Sequence, residues 1–267
     1  MSDVPQWLAV IILGIIEGVT EFLPISSTGH LLIPQNLGLL PEQGDLFDVV
    51  IQSGAVLAVL AVFTDRVKQF ATSLGSPDTR DYLLKLLVAF VITAIGGVLI
   101  GKFGIELPTE VEPVAWATLI GAFVIFGCEA WRKDHPGTVE IGWGVVVGVA
   151  AAQLLAAVFP GTSRSGASIL MAMALGVARP AATEFSFLLG IPTLTAAGAY
   201  KVLEAYLDGQ IAGQNWPMIG LGMVVSAVSA FIVVKWLIRF VQSHTFNGFA
   251  WYRLVLGAGL LIYAYSR

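Results

Sequence analysis

Long stretches of this chain contain no charged side chain, and their polar residues are few and scattered. A helix that crosses a bilayer needs about 20 mostly apolar residues, and flanking aromatic or basic side chains extend a slightly short run by snorkelling. The pattern therefore predicts an all-α, polytopic membrane protein. Long charge-free runs include Val49–Thr64, Leu86–Gly101, Phe185–Tyr200 and Gly209–Val234.

The apolar segments fall into two classes by length. Two shorter helix pairs, at residues 7–40 and 141–175, are each interrupted by a turn rich in proline and serine. Because non-helical backbone at membrane depth is tolerated only where protein or a water-filled cavity surrounds it, we interpret both pairs as re-entrant helical hairpins. The longer segments are predicted as six full transmembrane helices: Phe47–Thr64, Tyr82–Gly101, Pro113–Trp131, Thr183–Lys201, Trp216–Phe240 and Phe249–Tyr265.

The two halves of the chain resemble each other at one spacing of 136 positions. This offset pairs Pro24 with Pro160, Ser27 with Ser163, and Glu17 with the chemically similar Gln153. We therefore predict a first repeat over residues 1–135 and a second over residues 136–267, within one integrated membrane domain. Three crossings per half reverse the direction of the second half, so the repeats are predicted to have inverted topology.

Composition and charge agree with this architecture and orient it. Hydrophobic residues make up 57% of the chain and charged residues only 12%, against roughly 25% charged residues in a soluble domain. The single cysteine, Cys128, excludes an internal disulfide. Three basic residues fall on the side reached after the second crossing, and ten on the opposite side: Arg66, Lys68, Arg80, Lys85, Arg132, Lys133, Arg179, Lys235, Arg239 and Arg253.

This charge bias predicts the orientation of the chain. By the positive-inside rule the richer side is cytoplasmic, and we expect both termini outside. The loops at Arg66–Arg80 and Arg132–Lys133 should then be inside, and the loops at Lys102–Glu112 and Lys201–Asn215 outside. The first hairpin is predicted to enter the membrane from outside and the second from inside.

Ionisable residues within the predicted hairpins are the first candidates for chemistry, because each costs about 2.5–3.5 kcal/mol at the centre of a membrane helix. Glu17 and Glu21 are four positions apart and share one helix face. Two carboxylates on one face suit a divalent cation, which prefers oxygen ligands. The alternative is that one carboxylate pairs with Arg164 in a purely structural ion pair.

The first turn, residues 24–30, places Ser26, Ser27 and Thr28 at the start of a helix, and His30 follows within the first turn of that helix. Serine and threonine are ordinary helix caps, but a helix start also offers free N–H groups and a positive dipole end to an anion. A histidine in a membrane helix often serves only as a hydrogen-bonding group. Beside two glutamates and a serine cluster, we favour a catalytic role for His30.

The second turn, residues 160–166, also opens a helix, and its glycines let the backbone approach a ligand closely. Arg164 adds a planar fork of donors that matches phosphate oxygens. Two helix starts from inverted repeats would meet near the midplane of the membrane, which is a recurrent way to bind anions. We therefore predict a site for a phosphate group, with six residues of the two turns binding the substrate: Ser26, Thr28, Gly161, Thr162, Ser163 and Ser165.

Three segments resemble those of one known family. The run EGVTEFLPISSTGH, from Glu17 to His30, resembles the glutamate-rich motif of the BacA-type undecaprenyl-diphosphate phosphatases. The run PGTSRSGAS that begins at Pro160 is similar to the second signature of that family, and EFSFLLGIP, which begins at Glu184, resembles it as well. Ser168 departs from the threonine that the family more often has, but keeps the hydroxyl. The resemblance covers essentially the whole chain.

The resemblance implies an enzyme of the bacterial plasma membrane that hydrolyses undecaprenyl diphosphate to undecaprenyl phosphate and inorganic phosphate. This reaction recycles the lipid carrier of cell-wall synthesis, and overproduction of such enzymes gives bacitracin resistance. The resemblance also implies a divalent cation, Mg²⁺ or Ca²⁺, and a site that opens outward. The expected partners are the lipid substrate and membrane lipid, with no nucleic acid, and a homo-oligomer is left open.

The family's functional residues match Glu17, Glu21, Ser27, His30 and Arg164. We expect the two glutamates to hold the metal, Arg164 to stabilise the phosphoryl group in transit, and His30 to act as general acid or base. Ser27 is the preferred nucleophile, although direct attack by water, with Ser27 only positioning the phosphate, stays open. A prenyl-phosphate transporter is the alternative from another class, since inverted repeats with broken helices are typical of carriers. A carrier needs donors for an anion but no nucleophile, so Ser27 and His30 discriminate between the two functions.

Overall fold

A computed structural model describes residues 4–103, 110–135 and 137–266. Within these segments the chain is helical, and the only β-type pairing is an isolated bridge between Thr138 and Val177. A 3₁₀ turn, Ile211–Gly213, follows the ninth helix. The described α-helices are α1 Gln6–Thr20, α2 Ser27–Asn36, α3 Asp45–Val62, α4 Thr64–Thr72, α5 Pro77–Lys102, α6 Val111–Arg132, α7 Trp143–Val158, α8 Arg164–Ala174, α9 Arg179–Leu207, α10 Trp216–Ser243 and α11 Asn247–Tyr265.

Six of these helices are long and apolar enough to cross a membrane, namely α3, α5, α6, α9, α10 and α11. Each coincides with one predicted transmembrane helix to within six residues at either end. The prediction of an all-α membrane protein with six crossings is therefore confirmed. The loop predicted at Lys102–Glu112 lies largely outside the described residues.

The remaining apolar helices form the two shorter pairs. Helices α1 and α7 have 15 and 16 residues, and α2 and α8 have 10 and 11. At a rise of 1.5 Å per residue, even the longer ones reach only about 24 Å, which is less than the roughly 30 Å of a hydrocarbon core. These lengths fit helical hairpins, and their re-entrant course through the membrane stays a prediction.

The segment after α3 differs from its prediction as a loop, because it contains the short helix α4. Phe70 on this helix stacks against Tyr82 of α5, with ring centroids 5.8 Å apart. The guanidinium of Arg66 lies over the same tyrosine ring at 4.8 Å and pairs with Glu184 of α9 at 3.0 Å. These aromatic and ionic contacts hold α4 against α5 and explain why the polar segment is helical.

The two halves of the chain exchange helices in the packed molecule. Helix α1 of the first half packs against α10 of the second, and α7 of the second half packs against α5 of the first. The contact between α1 and α10 is close, because a Cβ added at Gly18 would lie 2.3 Å from the carbonyl oxygen of Ser226. Helix α6 also packs against α11, and α3 packs against α9, so each of these pairs joins one helix from each half. The exchange supports the predicted duplication, which stays a prediction.

The two turns have the same backbone geometry. Their equivalent residues are one position further apart in the sequence than the predicted 136. Ser26 and Ser163 cap α2 and α8, with φ of 75° and 73°, and each side chain accepts a hydrogen bond from the N–H three residues later. These serines are 137 positions apart, so the structure aligns Ser26, and not Ser27, with Ser163. The extra residue is accommodated beside Gly161, whose φ of 98° is readily adopted only by glycine.

The charge count was wrong for one of the ten residues that it placed on the cytoplasmic side. Arg253 is only 1% exposed and lies inside the helix bundle on α11, where its guanidinium binds backbone carbonyl oxygens. Arg179 forms a largely buried ion pair with Glu129 of α6. The basic bias of that side stays clear without Arg253, at nine residues against three.

Candidate active site

The two turns contact each other directly. The hydroxyls of Ser163 and Ser165 both donate to the carbonyl oxygen of Leu23, at 3.2 and 3.0 Å. Ser163 also accepts from the N–H of Gly166, so its side chain caps α8 and binds the first turn at once. The predicted meeting of two helix starts is therefore what the structure contains.

A cavity of about 250 Å³ opens beside this contact and is lined by both turns. Ser26, Ser27 and Thr28 form one part of its wall, and Gly161, Ser163 and Arg164 form another. Glu21 contributes the acidic group. The volume suits a small polar group, and the hydroxyls and helix starts provide the donors that an anion needs.

Glu21 is the central residue of the cavity. One of its carboxylate oxygens accepts a hydrogen bond of 2.6 Å from the hydroxyl of Ser27. The other accepts from Nη2 and Nε of Arg164, at 2.7 and 3.3 Å. Glu21 thus fixes the orientation of a hydroxyl and of a guanidinium on opposite turns. Such charge-assisted bonds are stronger than bonds between neutral groups.

Arg164 keeps part of its donor capacity for another ligand. Its Nη1 is buried and has no acceptor within the described part of the chain. The guanidinium lies against Gly190 of α9, where an added Cβ would be 2.9 Å from Nη1. A buried guanidinium with a free N–H edge is strongly driven to bind an acceptor, and phosphate oxygens match its geometry.

Glu17 lies deeper than the cavity wall, one helical turn before Glu21. Its side chain is fully buried, and neither carboxylate oxygen has a hydrogen-bond donor within the described segments. The carboxyl of Glu21 lies beside it. Two carboxylates this close repel each other unless a proton or a cation lies between them. The two glutamates therefore fit the predicted divalent cation, although no cluster of three or more ligating side chains occurs among the described residues.

Both ring nitrogens of His30 bind groups other than Ser27. Its Nδ1 lies 2.6 Å from the carbonyl oxygen of Ser26, and its Nε2 lies 2.6 Å from the hydroxyl of Tyr252 on α11. Since a carbonyl oxygen only accepts, Nδ1 carries the hydrogen, and Nε2 of the neutral ring accepts from Tyr252. Both ring nitrogens are thus engaged outside the cavity, and His30 does not line it.

Comparison with known proteins shows the family of this chain. A family model described as bacitracin resistance protein BacA matches residues 10–259. The chain belongs to the BacA family. It is 48% identical over 257 residues to a protein of Rhizobium johnstonii, with 96% of each chain covered, and 45% identical over 264 residues to one of Xanthomonas oryzae pv. oryzae, with 98% covered. Both relatives are named undecaprenyl-diphosphatase.

The predicted site residues of this BacA-family chain divide into two groups. Ser26, Ser27, Thr28, Glu21, Gly161, Ser163 and Arg164 line the cavity together. The other four do not line it. Glu17 lies behind Glu21, His30 faces α11, and Ser165 is fully buried against Leu23. Thr162 lines a separate apolar groove. Binding of substrate by Ser165 and Thr162 stays a prediction.

Several polar residues of the BacA-family cavity were not predicted from the sequence. Gln52 on α3, Thr93 on α5, Gln153 on α7 and Thr193 on α9 line the wall opposite the charged groups. Gln153 is 3% exposed, and its side-chain oxygen has no partner among the described residues. The one available signal in the sequence was the pairing of Gln153 with Glu17 in the repeat. This pairing indicated where Gln153 lies but not what it does.

An apolar groove of about 600 Å³ lies on the other side of the turns. Its walls come from α6, α7 and α8, and Pro24, Thr162 and Arg253 line it next to the turns. Thr162 lines this groove, whereas its neighbours Gly161 and Ser163 line the polar cavity.

Proposed function

We propose that this chain hydrolyses undecaprenyl diphosphate to undecaprenyl phosphate and inorganic phosphate. The observation that carries the proposal is the cluster of Glu21, Ser27 and Arg164 between two helix starts. The cluster combines a hydroxyl nucleophile, an acceptor for its proton and a free guanidinium edge. The printed names of relatives that match nearly the whole chain describe the same activity.

We infer the following course from the positions of the side chains. Arg164 and the N–H groups of both turns bind the terminal phosphate through its free oxygens. Ser27 attacks the phosphorus as its proton passes to Glu21, and the bond to the bridging oxygen breaks. Undecaprenyl phosphate leaves, and water then cleaves the phosphoserine to release inorganic phosphate.

The geometry favours Glu21 over His30 as the acceptor of the serine proton. Ser27 already donates to Glu21, whereas both nitrogens of His30 bind other groups. His30 is left as a candidate for the second proton transfer, the activation of water, once Tyr252 releases Nε2. Direct attack of water on the diphosphate is the alternative course for the same residues.

A divalent cation would be held by Glu17, with Glu21 as a second carboxylate. Both oxygens of Glu17 are without donors, and Mg²⁺ is commonly bound by one or two carboxylates together with substrate phosphates. Such an ion neutralises charge on the phosphate oxygens. Without it, two adjacent buried carboxylates would repel the anionic substrate.

We further propose that the chain lies in the bacterial plasma membrane with its cavity open to the outer side. There it would recycle the carrier of cell-wall synthesis and, when overproduced, confer bacitracin resistance. The transporter is not favoured, because a carrier has no use for a serine held against a carboxylate and the relatives bear the name of a hydrolase.

The test is phosphate release from undecaprenyl diphosphate by the purified protein in detergent with Mg²⁺ or Ca²⁺. We expect stoichiometric inorganic phosphate and undecaprenyl phosphate. A Glu21→Gln variant, which keeps the size of the side chain but accepts protons poorly, should be folded and almost inactive. Absence of release by well-folded wild-type protein with either cation would overturn the proposal.

A further inference from the structure

Arg253 connects three segments through a single guanidinium. Its Nη1 donates to the carbonyl oxygens of Pro24 and Thr162, both at 3.1 Å. Its Nη2 donates to Gly161 at 3.0 Å and to Ala117 at 3.1 Å, and its Nε donates to Thr118 at 3.1 Å. A guanidinium has five N–H donors, and here all five are used.

These bonds join the two turns of the cavity to helix α6. Pro24 belongs to the first turn, Gly161 and Thr162 to the second, and Ala117 and Thr118 to α6. The carbonyl next to Pro24, that of Leu23, is bound by the hydroxyls of the second turn. Two consecutive carbonyls of the first turn are therefore fixed from outside it. A backbone without regular structure of its own depends on such external partners.

The bonds to Arg253 also set the direction of an N–H group at the cavity. In a trans peptide the C=O and the N–H of one unit point in opposite directions. Because the carbonyl of Thr162 points toward Arg253, the N–H of Ser163 points away from it, and Ser163 lines the cavity. The guanidinium thus sets the direction of the Ser163 N–H beside the cavity, without lining the cavity itself.

On the side of α6, the guanidinium of Arg253 is in close contact with the helix backbone. A Cβ added at Gly121 of α6 would lie 1.9 Å from Nη2 of Arg253. None of the ion pairs in the described part of the chain includes Arg253, and its partners are all neutral carbonyls. A buried cation without a carboxylate partner is costly, which argues that its position serves a purpose beyond general packing.

We propose that Arg253 is a positioning residue that holds the two turns in the alignment required for phosphoryl transfer. Lysine cannot replace it, because one ammonium at a single point cannot reach carbonyls on three segments. The inference rests on the proposed phosphatase function. It predicts that loss of the guanidinium, or its displacement from α6, impairs turnover of a folded protein.

The experiment compares two variants with two matched controls. Arg253→Lys removes the fork, and Gly121→Ala keeps the arginine but displaces its guanidinium. Gly127→Ala, on the same helix with nothing within 4 Å, controls for the glycine change. Arg179→Lys, in the ion pair with Glu129, controls for loss of a largely buried arginine. The measurements are kcat and KM for undecaprenyl diphosphate, the thermal midpoint, and the rise of that midpoint caused by inorganic phosphate.

We expect kcat to fall by about 100-fold in Arg253→Lys and Gly121→Ala, since a displacement of about 1 Å can cost that much. KM should change by less than about threefold, because Arg253 donates all its N–H groups to backbone carbonyls and has none left to bind the substrate. The stabilisation by phosphate should be lost in both variants, and both controls should behave as wild type. If Arg253→Lys does not fold, the comparison of kcat and phosphate stabilisation between Gly121→Ala and its control Gly127→Ala tests the proposal.

Retention of kcat and of phosphate stabilisation by folded Arg253→Lys would overturn the inference, even if its thermal midpoint fell. Equal losses in the variants and the controls would also overturn it. Failure of the proposed function has a different signature, namely a folded wild type that releases no phosphate from the lipid. In that case the phosphate-induced rise of the thermal midpoint alone tests the role of Arg253. Loss of this rise in the two variants would support the role, and persistence of the rise would overturn it.

Discussion

The hydrogen bond from Ser27 to Glu21 separates the two possible courses of hydrolysis at the level of one residue. If Ser27 is the nucleophile, Ser27→Ala should lower kcat by about 10³-fold or more. A phosphoenzyme formed by rapid quench of the wild type should map to Ser27 by mass spectrometry. Ser186→Ala, which removes another buried hydroxyl from α9 outside the cavity, should keep activity. Substantial turnover by Ser27→Ala would instead support direct attack by water.

Arg164 offers a test of geometry against charge. Nη2 and Nε bind Glu21 while Nη1 stays free for phosphate, and lysine has no equivalent of this division. Arg164→Lys should therefore lower kcat by about 10²-fold although the charge is kept. Arg66→Lys, at a partly exposed ion pair with Glu184, is the matched control and should stay active. Equal activity of Arg164→Lys and wild type would show that Arg164 acts only through its positive charge.

Glu17 is the residue that we expect to bind the divalent cation. Chelation should abolish phosphate release, and Mg²⁺ or Ca²⁺ should restore it. Because the oxygens of Glu17 have no other partner, Glu17→Gln should raise the cation concentration for half-maximal activity by at least about tenfold, a loss typical even of outer-shell ligand partners. Glu204→Gln, at a partly exposed pair with Lys201, should not change it. Full activity in chelator would remove the metal from the mechanism.

The sequence predicted the charged residues of the site but not their supports. Glu21, Ser27 and Arg164 are recognisable because they interrupt apolar runs in motif-bearing turns. Arg253 and Tyr252 lie on α11, more than 200 positions from the first turn, and act on backbone carbonyls or on His30. Every residue has a carbonyl, so the acceptors of Arg253 leave no trace in the sequence. Its place one turn inside the predicted helix Phe249–Tyr265 led the charge count to assign it to the cytoplasmic end of that helix.

At the scale of elements, the contact between α1 and α10 determines where the two glutamates lie. Gly18 sits between Glu17 and Glu21 on the chain, and a methyl group there would overlap the backbone of α10 at Ser226. Gly18→Ala should therefore destabilise the protein by about 1–3 kcal/mol and lower kcat with it. Thermal unfolding in detergent and phosphate release measure the two effects.

Gly220→Ala on α10 is the control for Gly18→Ala, since nothing lies within 4 Å of that position. It should keep or slightly raise stability, because alanine favours a helix over glycine. A Gly18→Ala variant as stable and active as Gly220→Ala would show that α1 can move away from α10 without consequence. The close packing would then not position the carboxylates.

The helices themselves were predictable because hydrophobicity and length are local properties. The six crossings follow from apolar runs that only a membrane helix can satisfy. Helix α4 was missed because its stability comes from Tyr82 and Glu184, which are distant from it in the sequence. The register of the turns was missed by one residue, since an ungapped offset cannot represent the additional residue beside Gly161.

At the scale of the whole molecule, function depends on how the two halves face the membrane. Arg164 reaches Glu21 only because the turns of both halves meet inside the bundle. With three crossings per half, the hairpins must enter from opposite sides if they are re-entrant. By the positive-inside rule, the basic residues then predict that the segments after α3 and α6 are inside the cell and the segment after α9 is outside.

Single cysteines in a Cys128→Ser background test this topology with an impermeant thiol reagent on whole cells. Position 137 is unsuitable, because a Cβ at Gly137 would lie 2.5 Å from the backbone nitrogen of Ala178. Asp78, Asp134 and Asp208 are exposed and can accept the substitution. Cysteine at 208 should react from outside, whereas cysteines at 78 and 134 should react only after the membrane is permeabilised. Reaction at 134 but not at 78 in intact cells would mean an even number of crossings before α7. The hairpins would then enter from the same side, and the inverted repeat would have to be abandoned although the contact between Arg164 and Glu21 persists.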